Sequence, residues 1–386
     1  MLLVSAGRYV TTERGYKAFH PESLPPNIQF SSRLSSALEG AVLELGRLDS
    51  LCVRQQPNLL IGLARRAEAL QSSRIEGTQA TLGEIYKAEA DDSAAGKQSR
   101  LSMDAREVFN YVDALETGLE RLTDLPICVR LIRELHSILM TGVRGGEPSR
   151  TPGEFRRSQN WIGPPGCTLA NATYVPPPPE LVPECLANWE KYVNGNEEHP
   201  HLVKCAVMHY QFEAIHPFLD GNGRIGRLLI VLYFKQFSLL AHPVLYLSNY
   251  FEQNRPAYYR NLREVKDSGD WPGWILFFLE GVAQQARRTG ATLSNLLSLH
   301  DALRDSVKPK RTAGTMMQLV DYIFEHPSFS ASMVCRALSV SKPTANRAIA
   351  ELSEMGRVSE ITGKERNRMY RFDAFYETIR RSEGIE

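Results

Sequence analysis

The sequence carries almost no net charge: 45 Lys and Arg against 44 Asp and Glu leave +1 over 386 residues. That balance gives no electrostatic case for a nucleic-acid coat or a membrane surface. Long apolar runs are missing too. The longest, Leu228 to Phe234, is far short of the roughly 20 residues that cross a bilayer, and the opening Met1-Leu2-Leu3-Val4-Ser5 is too short for a signal peptide. A cytoplasmic protein without a membrane partner is the expectation. Cysteine is sparse: Cys52, Cys128, Cys167, Cys185, Cys205 and Cys335 are scattered without paired spacing, which excludes a disulfide framework and a clustered-cysteine metal site. No internal repeat is present. What remains, 43% hydrophobic, suits a globular protein of about two to three domains with an ample core.

The chain is organised around His216-Pro217-Phe218-Leu219-Asp220-Gly221-Asn222-Gly223-Arg224-Ile225-Gly226-Arg227. Leu202 to Ile215 is apolar almost all round, the pattern of a buried helix, and Pro217 ends it because the residue before a proline avoids helical angles. Ile225, Leu228, Leu229 and Leu232 recur at helical spacing, so a second helix starts near Asn222 or Gly223. Gly221 and Gly223 permit successive N–H groups to converge, and a helix N-terminus adds unpaired donors and a positive dipole end. Arg224 and Arg227 share a helix face and suit phosphate oxygens. Asp220 is a hard oxygen ligand for magnesium. His216 is the side chain whose ordinary pKa allows proton abstraction near neutrality. Together they describe phosphoryl or nucleotidyl transfer by a histidine base.

This run resembles the Fic-domain signature His-Pro-Phe-x-Asp/Glu-Gly-Asn-Gly-Arg-x-x-Arg at every specified position, and His209, Phe212 and Glu213 resemble the helix before it. The resemblance implies transfer of AMP from ATP to a Ser, Thr or Tyr hydroxyl of a target protein, with His216 as base and Asp220 as Mg2+ ligand. Gly221, Asn222 and Gly223 would cradle the α- and β-phosphates, Arg224 would hold the β-phosphate and Arg227 the γ-phosphate. Some relatives that depart at the second motif glycine transfer phosphate; Gly223 favours AMP here. By the same resemblance Asn249, Tyr250 and Asn254 fall where the family contacts base and ribose, with Tyr250 the nucleotide-binding candidate.

Upstream, helical patterning runs from about Ser32 to Arg54 and from Pro57 to Glu76, after an irregular start through residue 30. Gly77 suits the position after a helix end. Glu76 in the last turn meets the negative end of the dipole and calls for a cationic partner. Ser72 with Glu76-Gly77 resembles the Fic inhibitory motif Ser/Thr-x-x-x-Glu-Gly/Asn. It implies that Glu76 pairs with Arg227 and keeps the γ-phosphate out of its productive position.

Further helices are expected at about Leu82 to Ala90, Met103 to Leu122 and Cys128 to Met140. Glycine and proline then crowd residues 142 to 179, where Phe155 to Ile162 and Thr173 to Val175 read as a hairpin with an open edge, able to take an extended peptide as an added strand. Thr151 to Arg156 and Tyr174-Val175-Pro176-Pro177 resemble the Fic flap, which makes Gly153, Glu154, Tyr174 and Val175 the target-holding candidates. Pro176 to Pro179 read as a stiff connector into a helix at Glu180 to Asn194. Past the motif, helices are expected at Arg255 to Lys266, Trp271 to Arg288 and Thr292 to Val307, with a domain boundary at Lys308-Pro309-Lys310-Arg311.

Residues 312 to 386 read as a winged helix-turn-helix: helical spacing at Met316, Leu319, Val320 and Ile323, a helix from Ala331 to Leu338, a turn, a helix from Pro343 to Met355, and a hairpin from Val358 to Phe372. Thr344, Asn346 and Arg347 would face DNA, with Lys364, Arg366 and Arg368 on the wing. From Arg311 to Glu386, 11 Lys and Arg against 10 Asp and Glu leave a difference of one, short of a strong basic footprint. A dimerisation or protein-docking surface is the alternative.

The fold expected is mostly α: an N-terminal helical region with the inhibitory helix (1–100), a Fic-type helical bundle with a β-hairpin flap (101–305), and the winged helix (312–386). The function expected is a self-inhibited protein adenylyltransferase using ATP and Mg2+, assembled as a homodimer. The alternatives are a nucleotide-sensing transcription regulator that binds DNA, and removal of AMP from a modified protein with Glu76 orienting water.

Overall fold

The computed structural model describes residues 6–12, 15–54, 58–90, 101–164, 166–196, 199–310, 312–363, 365 and 368–384. The first half contains β1 (Gly7–Thr11), β2 (Lys17–Pro21), α1 (Ser32–Arg54), α2 (Asn58–Ile75), α3 (Leu82–Ala90), α4 (Met103–Arg121), α5 (Val129–Leu139) and α6 (Val182–Asn194). The motif lies between α7 (His201–Ile215) and α8 (Asn222–Gln236), followed by α9 (Ser248–Gln253), α10 (Arg255–Ser268) and α11 (Trp271–Val307). The C-terminal unit is α12 (Ala313–Glu325), β3 (Ser328–Ser330), α13 (Ala331–Leu338), α14 (Lys342–Glu354), β4 (Ser359–Glu360), β5 (Met369–Arg371) and α15 (Asp373–Glu383).

The architecture is mostly helical, and α7 and α8 form its axis. Both are apolar on every side because both are enclosed: Val203, Val207, Phe212 and Ile215 of α7 and Ile225, Leu228, Leu229 and Leu232 of α8 are fully buried. Two buried indoles fix α7, since Trp189 Nε1 donates to Met208 O at 3.0 Å and Trp274 Nε1 to Ala206 O at 2.9 Å. Each ring buries a large apolar surface while its one polar atom is satisfied. The motif's strained turn is thereby carried on a helix with little freedom to move.

Several elements differ from expectation. The N-terminal segment is not irregular: β1 and β2 pair antiparallel, Gly7 opposite Pro21 through Thr11 opposite Lys17. Phe19 N–H then donates to Val175 O at 2.8 Å, so β2 also braces the flap. The two helices expected between Trp271 and Val307 are one 37-residue helix, α11. Gly290 lies within it, where a Cβ would make only ordinary contact, 3.5 Å, with Leu51 Cδ1 of α1. The flap hairpin shrinks to a single bridge, Ile162 with Tyr174, because the prolines around it supply no donors.

The C-terminal unit is a helix-turn-helix with a three-stranded sheet in the order β3-β5-β4 and a closing helix α15. β3 and α15 were not foreseen. The expected boundary falls in the short gap between Val307 and Ala313, but the unit is firmly attached. Asp321 accepts from Arg304 Nη1 at 2.5 Å and His300 Nε2 at 2.8 Å, and Tyr86 of α3 meets Phe375 and Tyr376 of α15 edge-on. Among the described residues no helix is long and apolar enough to cross a membrane.

Candidate nucleotide-binding active site

His216 ends α7 in the left-handed region, φ 49° and ψ 60°. For a side chain with a Cβ this costs about 1–2 kcal/mol, so the surroundings must hold it. The loop that follows is closed from within. Phe218 N–H donates to Asn222 Oδ1 at 2.8 Å and Asn222 Nδ2 returns to Phe218 O at 2.9 Å. The Asn222 amide is therefore spent on the turn, and its share in any anion site is its backbone N–H. Gly221 caps α8 at φ 76°, and the first-turn N–H groups of α8 have no helical acceptor. Asp220, half-buried, holds Gly221 N–H at 2.6 Å and stands 3.7 Å from Arg224 Nη2. Gly145 makes room for it: a Cβ there would fall 2.1 Å from Asp220 Oδ2.

The two arginines differ in state. Arg224 is 4% exposed; its Nη2 lies 3.5 Å from Met140 Sδ and 3.7 Å from Asp220 Oδ1, and its Nε and Nη1 are buried without a hydrogen-bond partner. Buried donors normally have acceptors, and leaving them unpaired costs about 1–3 kcal/mol. A bound anion would satisfy them. Arg227, 2% exposed, is already engaged: Nε with Ser72 Oγ at 2.9 Å, Nη2 with Ser72 O at 2.9 Å and with Glu76 Oε1 at 2.7 Å. Burial pushes the Glu76 carboxyl up, but the charge and hydrogen bond of Arg227 outweigh it, and the group lies below the ordinary carboxylate value. The Glu76 carboxylate rests on Gly223, where a Cβ would come within 2.4 Å of Oε1. Gly77 follows at φ 100°, a conformation suited to glycine.

Burial first, then the Arg156 charge, bring His216 down to about 4, so the imidazole is unprotonated at neutral pH. Glu213, one turn earlier, is pushed by burial up to about 7, with Arg227 opposing and Glu76 adding to the rise. Glu213 lines a cavity of about 480 Å³ together with Ile162, Tyr174, Tyr210, Tyr259 and Arg263. The cavity lies between the flap and α10.

The flap candidates are tied down. Gly153 N–H donates to His136 Nδ1 at 2.8 Å and Glu154 pairs with Arg133. Tyr174 OH donates to Ala214 O at 2.6 Å, and the Val175 carbonyl is taken by Phe19. The flap's exposed large apolar side chains are Trp161 and Ile162, 42% and 40% accessible. Tyr250 is buried on α9. Its ring packs on Gly281, where a Cβ would lie 2.6 Å away, and 5.1 Å from the Phe277 ring, because α9 turns its aromatic face into α11. Asn249 and Gln285 line a different, small internal space beside Glu68.

Two residues that sequence reasoning passed over join these parts. His136, buried on α5, accepts from Gly153 N–H on Nδ1, so its proton is on Nε2, which donates to Asp220 O at 3.0 Å. Its ring stacks on Phe218 at 3.7 Å, and burial pushes it down to about 4, which keeps that tautomer neutral. Arg156 donates from Nε to His216 O at 2.9 Å. Neither has a local signal; each reads in sequence as a core-facing or flap residue. In the C-terminal unit Asn346 and Arg347 are exposed on α14, whereas Thr344 Oγ1 is bonded to the capping Ser341 Oγ at 2.8 Å. Of the wing residues Arg368 is described; Lys364 and Arg366 lie outside the described residues.

An unprotonated histidine on a strained turn, a glycine-capped helix N-terminus and buried arginines, one lacking acceptors, define a helical protein suited to an oligophosphate ligand. Comparison with known proteins is consistent. A model described as the Fic/DOC family matches residues 126–234, the Fic/DOC family N-terminal model matches 35–120, and a helix-turn-helix DNA-binding domain model matches 316–371. The chain belongs to the Fic/DOC family, with the family's N-terminal region and a C-terminal helix-turn-helix domain. An Aquifex aeolicus protein named probable protein adenylyltransferase is 27% identical over 203 residues, 52% of this chain and 55% of that protein. A Drosophila grimshawi protein named protein adenylyltransferase Fic is 28% identical over 196 residues, 47% of this chain and 36% of that one. The chain thus spans about half or less of these relatives' length. In fold it is similar to a Fic family protein from Desulfovibrio desulfuricans (TM-score 0.58, 19% identity, 90% of this chain and 98% of that one). It is also similar in fold to Fic-1 from C. elegans (TM-score 0.50, 21% identity, 66% and 71%).

Proposed function

We propose that this protein transfers AMP from ATP to a hydroxyl side chain of a target protein, and that Glu76 holds it at rest. The observation that carries the reading is Arg224: a buried guanidinium with two unpaired donors beside a helix N-terminus and within the same turn system as an unprotonated histidine. The His216 imidazole takes the proton of the target hydroxyl, the hydroxyl oxygen attacks the α-phosphorus of ATP, and the bond to the β-phosphate oxygen breaks as pyrophosphate leaves. Positioned proton transfer of this kind contributes typically about 10²–10⁴ in rate. The N–H groups of Asn222 and Gly223 face the phosphates, with the Gly221 N–H held by Asp220; Arg224 takes the β-phosphate, and Arg227, once freed from Glu76, takes the γ-phosphate. Asp220, in the turn before α8, would hold magnesium together with the phosphates, which suits an ion that is rarely caged by protein alone; when bound it would neutralise phosphate charge. The cavity between flap and α10, walled by Tyr210 and Tyr259, has the aromatic lining a nucleoside needs. Exposed Trp161 and Ile162 offer the target chain an apolar edge.

Labelling separately at the α- and γ-phosphates of ATP tests the reading. α-Label alone should appear in protein; transfer of γ-label would replace AMP transfer with phosphorylation. A second reading, a DNA-binding regulator that senses nucleotide, is supported by the exposed Asn346 and Arg347 on α14 and the helix-turn-helix match. Sequence-selective, salt-dependent DNA binding by the full chain, with no α-label transferred by Glu76→Gly, would favour it.

A further inference from the structure

Arg156 belongs to the first arm of the flap, yet its guanidinium is 3% exposed and lies under the motif. Its Nε donates to His216 O at 2.9 Å, and its Nη2 to Ile215 O at 3.4 Å and Pro177 O at 2.5 Å. Its own backbone N–H donates to Pro217 O at 2.9 Å. The Ile215 and His216 carbonyls end α7, where no helical N–H reaches them and where the dipole favours a cation. Pro177 lies in the flap's second arm. One side chain therefore joins both arms of the flap to the turn that carries the histidine.

That turn needs such a grip. His216 is left-handed with a Cβ, and nothing in its sequence, with Pro217 following, prefers that conformation. We propose that Arg156 is the positioning residue of the His216 base: by holding the Ile215 and His216 carbonyls against the flap, it fixes the strained turn that aims the imidazole at the target hydroxyl. The assignment rests on the reading of His216 as base.

Burial is the larger cause of the low His216 pKa, and the Arg156 charge adds to it. Arg156 itself is brought by burial to about 10 and stays charged at neutral pH. The groups facing His216 are Arg156 from the flap, which lowers its pKa, and Glu76, just past the end of α2, and the Glu213 carbonyl from α7, which raise it. Loss of the Arg156 charge therefore moves the base toward its ordinary value. Arg156→Lys keeps the charge but cannot span three carbonyls; Arg156→Gln removes both.

The test is carried out on the full chain in the Glu76→Gly background. For Arg156→Gln we expect a kcat about 10²-fold lower, the loss associated with a misplaced reacting group, and unchanged stabilisation by ATP in a thermal shift. The acid limb of the pH profile should move up by about one pH unit. Arg156→Lys should keep the parent acid limb and recover part of kcat. Direct titration of the His216 ring by NMR, assigned with His216→Asn, reads the same charge effect without activity. An upward movement in Arg156→Gln but not in Arg156→Lys supports the placement of the Arg156 charge against the His216 ring whether or not His216 is the base, so failure of this placement and failure of the proposed reaction are distinguishable. Parent-like kcat in Arg156→Gln, or loss of kcat and ATP stabilisation together with an unmoved His216 titration, overturns it; should Arg156→Gln not fold, an Arg156→Lys enzyme with unaltered kcat does so.

Discussion

Removing the Glu76 carboxylate is the perturbation whose outcome follows most closely from the geometry. Arg227 is 2% exposed and divides its donors between Ser72 and Glu76, with the Glu76 contact at 2.7 Å. A charge-assisted bond contributes about 1.5–3 kcal/mol net. The Glu76 side chain is 37% exposed, so solvent screening reduces this to about 1–2 kcal/mol. At about 1.4 kcal/mol for each factor of ten, Glu76→Gly should tighten ATP binding and raise α-label transfer by about 5- to 30-fold. Glycine removes no acceptor that another group requires, because the two Ser72 contacts to Arg227 survive. Calorimetric titration with ATP and a labelled-transfer assay check the two effects. Parent-like affinity and rate in Glu76→Gly would refute the competition between carboxylate and γ-phosphate for Arg227.

Arg224→Met should leave stability unchanged or raise it, since the buried guanidinium has two donors without acceptors, while abolishing the ATP-induced rise in Tm; paired thermal scans with and without ATP check this, and a destabilised variant that still responds to ATP contradicts it. Glu213 is held up at about 7 by burial and titrates near about 4.3 in an unfolded chain, so between these values the folded form binds more protons and stability falls as pH rises. Glu213→Gln should therefore exceed the parent by about 1–3 kcal/mol near pH 8 and match it near pH 4, read as urea midpoints; a difference independent of pH contradicts it. Gly145→Ala, whose Cβ would meet Asp220 Oδ2 at 2.1 Å and whose φ of 74° disfavours it, should weaken magnesium-dependent transfer more than ATP binding without metal, as metal titrations of rate would show. Arg347→Ala should reduce DNA binding by the full chain and lower the slope of log K against log salt by about one, if α14 contacts phosphate; an unchanged slope removes that contact.

The motif was legible because its chemistry is local. A proline stop, two glycines and an apolar helix on each side specify a helix, a turn and a helix N-terminus within twelve residues, and the periodicity of α1 delivers its limits, Ser32–Arg54, directly. The contact of Glu76 with Arg227 was anticipated from charge and resemblance rather than from spacing. Partners drawn from distant segments carried no such signal. His136 sits on the buried face of α5 with Leu131, Ile132 and Leu135, where a histidine reads as core, and only tertiary contact with Gly153 and Asp220 gives it a task. Arg156 reads as a flap charge until its guanidinium is found under α7. Tyr250 was singled out by resemblance alone, and its packing against Gly281 and Phe277 of α11 is likewise a tertiary contact without a local signal. The five-residue strands β1 and β2 were hidden by a short, proline-flanked segment whose pairing with the flap is non-local.

Removal of the proton from the AMP-receiving hydroxyl by the His216 imidazole is the step on which the proposed reaction depends. The most direct measurement compares Glu76→Gly with the double variant Glu76→Gly, His216→Ala in transfer of α-labelled ATP to protein, with ATP binding measured alongside. Retained ATP binding and transfer reduced at least about 10²-fold are expected. Transfer by the double variant at the rate of Glu76→Gly alone would contradict it.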